Sequence, residues 1–193
     1  STRGQGCFRS DGRSGGRSVK VEIYPPPVEE GHILRLLVRR VTEARVQVAG
    51  ATVGHIGRGL AIYIGIEMED QIPDLEWGSK KALGLRIFDD QEGKINLPIN
   101  QEMGILVISQ FTLFGNLKKG YRPSFNKAAS PSLAFSHYEK FLEILGNSFS
   151  GNLQSGKFGA EMKIEMKEDG PVTIWLDSQN KSLKNLMGKA GCE

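Results

Sequence analysis

The chain has 193 residues, of which 39% are hydrophobic and 24% charged, with a net charge of +3. That is length enough for one domain with a sizeable core. The composition is that of an ordinary soluble globular protein, and the charge is too mild to mark a nucleic-acid binder or to exclude one. Two cysteines, Cys7 and Cys192, stand near opposite ends, with no Cys-x-x-Cys pair and no Cys/His cluster, which argues against a zinc site. Such sparse cysteine use suits a reducing compartment, so a cytoplasmic location is expected. No apolar run approaches the ~18 residues a membrane-spanning helix needs.

Residues 1–32 differ from the rest. STRGQGCFRSDGRSGGRSVK carries one acid against five bases, and Pro25-Pro26-Pro27 follows. A segment so poor in apolar groups reads as a disordered extension. Its Arg- and Ser-rich, acid-poor character fits a floppy leader and an organellar presequence equally. Residues 33–178 form the expected domain, and residues 179–193 read as a flexible polar tail.

Within the domain, LRLLVRRV (34–41) reads as a strand, and ARVQVAGATVGHI (44–56) alternates about Ala49-Gly50 as a hairpin does. GLAIYIGIEM (59–68) and ILVISQF (105–111) are apolar runs of buried-strand type. PDLEWGSKKALGL (73–85) has helical spacing at Leu75, Ala82 and Leu85, with Gly78 and Gly84 against it. Ser130-Pro131 opens a second helix, Ser as N-cap and Pro in the first turn, and Gly146 can end it. AEMKIEMK (160–167) alternates strictly and VTIWLD follows, so EMKEDGPVTIWLD (165–177) reads as two strands flanking Gly170-Pro171, with Asp169-Gly170 suited to a tight hairpin. Strands in groups with two main helices predict an α+β layered domain with mixed sheets and a barrel-like core.

The chemistry is sparse. Of three histidines, His32 borders the extension, His55 follows the hairpin and His137 lies on the second helix, so none is placed as a catalytic base. No Gly-x-Ser-x-Gly, phosphate-binding loop or dinucleotide fingerprint occurs. Asp89-Asp90 precedes Gln-Glu-Gly and reads as a solvated turn. Three places stand out. SQFTLFG (109–115) ends a buried strand in polar residues, where sites are often built and where Ser and Thr also merely cap turns. LKKGYRP (117–123) sets cations beside an aromatic, as a phosphate-holding loop or a solvated face. Gly170-Pro171 interrupts strand-like sequence. Pro removes a ladder donor, Gly tolerates unusual φ, and an X-Pro bond in a tight turn can be cis.

Together these segments resemble the D-aminoacyl-tRNA deacylase family. The likeness runs over about residues 33–178, from LLVRRVTEARVQVAG through IGRGLAIYIGI and LGLRIFDDQEGKIN, and is sharpest at SQFTLFG, GKFGAEM and DGPVT. It implies a homodimeric, cofactor-free and metal-free hydrolase that cleaves the ester between a D-amino acid and the 3′ end of tRNA, a proofreading step in translation. Ser109, Gln110, Phe111 and Thr112 would line the catalytic pocket, with the Phe111 and Thr112 N–H groups on the oxyanion and Ser109 and Gln110 orienting the substrate amine or the loop. Gly170 and Pro171, with a cis bond, would reach in from the partner as a chirality filter, braced by Arg40 and continued by Thr173. Phe158 and Met162 would contact the terminal adenine, although without the likeness such a pair is more often simple core. Lys118, Lys119, Arg122 and Lys157 would meet the tRNA backbone. Many members have Asn where this chain has Glu168, and an amide donates and accepts whereas a carboxylate only accepts. Two other readings stay open: a non-catalytic tRNA-binding module on the same surface, and a small esterase, for which no nucleophile and base are found.

Overall fold

The computed structural model describes residues 33–180. The extension over residues 1–32, and the tail beyond residue 180, lie outside the described residues. The tail begins as a short 3-10 turn, Ser178–Asn180, where the Asp177 carboxylate accepts from the Gln179 N–H at 3.0 Å.

The sheet is organised by one long strand. β1, Arg35–Val48, covers both expected segments, 34–41 and 44–48, in a single run. One of its edges is shared: β3, Gly59–Gly65, pairs with residues 35–41, and β2, Ala51–Ile56, with residues 44–48. The β1–β2 hairpin turns at Ala49 and Gly50 as expected, both at positive φ. β3 is followed by helix α1, Ile72–Gly84, the small hairpin β4 (Phe88–Asp89) with β5 (Ile95–Leu97), and β6, Gly104–Ser109. β6 pairs in parallel with β3 and then with β7, Asn152–Ser155, after helix α2, Pro131–Ser148. The sheet curls until β2 approaches β7, where the Asn152 amide donates to the His55 carbonyl at 3.3 Å, so the barrel is nearly closed.

Two cores result from period-two alternation. Leu60, Ile62, Ile105 and Val107 face the helices and meet Leu75 and Ala82 of α1 and Tyr138, Phe141 and Leu145 of α2. The alternate residues Ala61, Leu106 and Ile108 face inward with Val41, Ala44, Val46 and Ile56. β3 and β6 are therefore buried on both sides, which is why their sequences are continuous apolar runs. Gly78 is the reason α1 tolerates a weak helix former: a Cβ there would lie 2.6 Å from Leu34 Cδ2. Ser130 precedes α2 but makes no side-chain capping bond; its Oγ lies 3.4 Å from that of Ser132. α1 instead carries an unforeseen cap, the Gln71 N–H donating to Asp74 Oδ2 at 2.9 Å.

The expected pair of strands around Gly170-Pro171 is one strand, β8, Lys163–Asp177, antiparallel to β1 along its whole length. The pairing passes from Val41↔Glu168 directly to Arg39↔Thr173, so four residues, 169–172, stand opposite the single residue Arg40. The chain bulges there rather than turning back, because β1 offers a partner on both sides of the interruption. Among the described residues, no helix is long and apolar enough to cross a membrane.

Candidate active site at the end of β6

β6 ends at Ser109, paired with Ile64 of β3. The Gln110 N–H still donates to the Ile64 carbonyl at 2.8 Å, then the chain leaves the sheet in a 3-10 turn, Phe111–Phe114. The first N–H groups of such a turn have no partner within it. Phe111 and Thr112 thus carry amides that belong to neither ladder nor turn.

A cavity of about 590 Å³ opens at this strand end. Ser109, Gln110 and Phe111 form its rim, and Phe158 and Met162 its opposite wall. Its remaining lining is apolar side chain and small residues, including Ile64, Phe125, Ala128 and Pro131, and it contains no His, Asp, Glu, Lys, Arg, Cys or Tyr. Such a site offers shape, hydroxyl, amide and main-chain hydrogen bonding, and no general base of its own. Among the described residues, no group of His, Cys, Asp and Glu could hold a metal ion.

The walls are stiff. Phe158 packs against Phe135 at 5.4 Å and Tyr138 at 5.6 Å between ring centroids. The Tyr138 hydroxyl donates to the Val107 carbonyl at 2.9 Å, and the Gly156 N–H donates to the same oxygen at 2.9 Å. Burial pushes the Tyr138 phenol up to about 12, so it remains a donor. The segment carrying Phe158 therefore hangs from the strand that ends at Ser109.

Other expected residues fall elsewhere. Thr112 is exposed and absent from the lining, as is Lys157. Lys119 and Arg122 are exposed on the following loop, and Lys118 lines a different cavity. The walls from Phe125 and from Ala128 to Ala134 were not singled out in the sequence. Their only signal is Pro131 at the start of α2, which reads as helix punctuation.

Gly170 and Pro171 are joined by a cis peptide bond, and Gly170 has φ +132°. Neither residue lines the cavity of its own chain, nor does Thr173 or Arg40. Arg40 is only 5% exposed and holds the bulge from beneath. Its Nε donates to the Asp169 carbonyl at 3.1 Å, with Asp169 Oδ2 at 3.3 Å, and its Nη1 to the Ile87 carbonyl at 2.6 Å and to Asp89 at 3.4 Å. Asp89, read from sequence as a solvated turn, is thus a second anchor. Glu168 pairs with Arg39 rather than with the bulge.

A model of the D-Tyr-tRNA(Tyr) deacylase family matches residues 37–177. The chain belongs to that family. Membership makes it a hydrolase acting on ester bonds. A D-aminoacyl-tRNA deacylase of Bacteroides thetaiotaomicron is 46% identical over 149 residues, 77% of this chain and 99% of the relative. Another, of Fusobacterium nucleatum, is 47% identical over 152 residues, 78% of this chain and all of the relative. Among solved structures, the c-Myc DNA unwinding element binding protein superposes with a TM-score of 0.70 at 39% identity, covering 74% of this chain and 97% of the other. A probable eukaryotic D-amino acid tRNA deacylase gives 0.66 at 19% identity over 75% and 99% of the chains, a likeness of fold alone.

Proposed function

We propose that this deacylase hydrolyses the ester of D-aminoacyl-tRNA, and of glycyl-tRNA, while excluding L-aminoacyl-tRNA. The observation that carries the reading is the cavity at the end of β6, whose lining holds no ionisable side chain. Without a base, the chemistry falls to main chain and substrate. Water adds to the ester carbonyl carbon, helped by the 2′-hydroxyl of the terminal adenosine. The Phe111 and Thr112 N–H groups stabilise the developing oxyanion, a contribution of about 3–4 kcal/mol per donor where it has been isolated. The bond to the ribose oxygen then breaks and that oxygen takes the proton, releasing the amino acid and tRNA. Ser109 and Gln110 orient the substrate amine, Phe158 and Met162 hold the adenine, and Lys118, Lys119, Arg122 and Lys157 meet the tRNA backbone.

Selectivity in this reading needs a second copy of the chain, because Gly170 and Pro171 do not line the cavity of their own protomer. Their carbonyl groups, presented by the partner and held by Arg40 and the strand through Thr173, leave no room for an L side chain at the α-carbon. The filter works by rejection, and a substrate with no side chain passes it. The test is release of amino acid from D-, L- and glycyl-tRNA. Cleavage of the D and glycyl esters with the L ester intact is expected. Equal turnover of both enantiomers overturns the filter, and tight binding with no turnover of any supports a tRNA-binding module instead.

A further inference from the structure

The segment 124–128 separates two cavities. Phe125 and Ala128 line the one at the end of β6, whereas Ser124, Asn126 and Lys127 line a second, of about 430 Å³. Arg35, Asn116, Lys118 and Gln179 complete the polar part of this second lining, which contains three cations and no carboxylate. Its cations are differently held. Arg35 lies over the Phe114 ring at 4.7 Å, its Nε pairing with Asp177 at 3.3 Å and its Nη1 donating to the Leu113 carbonyl at 2.9 Å. A guanidinium has five N–H donors, so a fixed fork remains to serve an anion. Lys127 reaches Glu67 at 3.5 Å, and its own side chain is 57% exposed.

The floor is ordered. Asn116 and Ser124 exchange main-chain bonds of 2.8 and 3.0 Å, and Asn116 Oδ1 accepts from the Lys118 N–H at 2.9 Å. Between the two cavities runs the turn Phe111–Phe114, about 6 Å long at ~2 Å rise per residue. It bears Phe111, 58% exposed, with Leu117 at 61% and Tyr121 fully exposed beyond it. Phe111 is fixed by an edge contact with Phe125 at 5.0 Å. Exposed aromatics beside a cationic groove are the construction that holds unpaired bases and their backbone.

We propose that this second cavity binds a backbone phosphate of the single-stranded RNA segment immediately preceding the nucleotide held at the end of β6. Arg35, Asn126 and Lys127 join Lys118 as its ligands, and the strand crosses the Phe111 ridge between the two cavities. The inference rests on the proposed tRNA substrate, and its test separates the two.

The measurements are kcat/KM on D-aminoacyl-tRNA, kcat/KM on the D-aminoacyl ester of adenosine, and binding of a short single-stranded RNA ending in CCA across a salt series. Asn126→Asp places a carboxylate among the cations and Asn126→Lys adds a cation, both at an exposed position. For Asn126→Asp we expect a roughly ten-fold rise in KM on tRNA with kcat unchanged, and a change below about two-fold on the adenosine ester. RNA binding weakens in parallel. For Asn126→Lys the salt slope of RNA binding steepens by ~0.7, one added phosphate contact on a single strand. Unchanged RNA binding in both variants, or equal losses on tRNA and on the adenosine ester, overturns the proposal. If the wild-type chain cleaves neither substrate but Asn126→Asp weakens RNA binding and Asn126→Lys steepens its salt slope, the phosphate site stands and the hydrolytic reading falls.

Discussion

Thr112 and Arg40, both expected at the site, are held very differently. The Thr112 hydroxyl is the obvious nucleophile in SQFTLFG, yet it is exposed and outside the cavity, whose lining supplies no base to activate it. Thr112→Ala should therefore keep kcat/KM within about ten-fold of wild type. A loss of many orders of magnitude with the fold intact would restore a covalent mechanism. Arg40 is buried and shared among two carbonyl oxygens and two carboxylates. Lysine has the charge but not the planar fork. Arg40→Lys should cost roughly 1–3 kcal/mol in denaturant unfolding, the range for a buried acceptor left unpaired, and should narrow the D-over-L ratio. Tyr138 gives a pH signature. Its phenol is raised by burial from the ordinary value near 10 to about 12. Its contribution is complete below pH 10 and is lost as pH rises towards 12. Alkaline unfolding should lose ~1–3 kcal/mol over that window, and Tyr138→Phe should remove that part of the slope.

At the scale of elements, β3 and β6 set the site, and their first pair is Gly59↔Gly104. A Cβ on Gly59 would lie 1.8 Å from the Gly104 carbonyl oxygen, which is backbone and cannot swing aside. Gly59→Ala should destabilise by about 3 kcal/mol or more, read from the urea midpoint, and should disturb the far end of the same ladder at Ser109. The strands were legible because burial on two faces writes continuous apolar runs, and α2 because its apolar stripe has helical period. β8 was misread for a physical reason. Asp-Gly-Pro is turn chemistry, and only the continuous partner strand β1, more than 120 residues earlier, makes it a bulge within one strand. The Ser130 cap failed similarly, since sequence shows an acceptor but not where its rotamer points. The rim of the pocket was legible, as polar residues closing an apolar strand. Its far wall was not: Phe125, Ala128 and Ala134 carry no motif and become a site only when α2 packs beside β6.

For the whole molecule, the decisive point is that one chain holds the pocket and the Gly170–Pro171 bulge in separate places. If a site is completed across two copies, subunit mixing must show it. Gly170→Ala puts a side chain at φ +132°, with its Cβ 2.8 Å from Val172 Cγ2, and should spoil the bulge while leaving the pocket. Phe158→Ala spoils the pocket while leaving the bulge. Each homodimer should lose at least ten-fold in D-selective hydrolysis, whereas co-refolded mixtures should regain up to about a quarter of wild-type activity, half the dimers being mixed and each carrying one sound site. Activity that never exceeds the average of the two parents would place the whole site within one protomer. Composition and periodicity do not show that division; it is what the resemblance at SQFTLFG and DGPVT implies.

The place where β1 changes neighbours has an evolutionary consequence. Along one edge it leaves β3 after Val41 and meets β2 at Ala44, while along the other the extra residues of β8 crowd against Arg40. Adding or deleting a single amino acid between Arg40 and Ala44 would invert the facing of one half of β1 relative to the other. Arg40 would then swing away from Asp169, or the barrel interior would lose Val46. Drift in length should therefore be tolerated at the tips of the molecule and forbidden across those few positions, where one peptide unit keeps time for both the interior and the bulge.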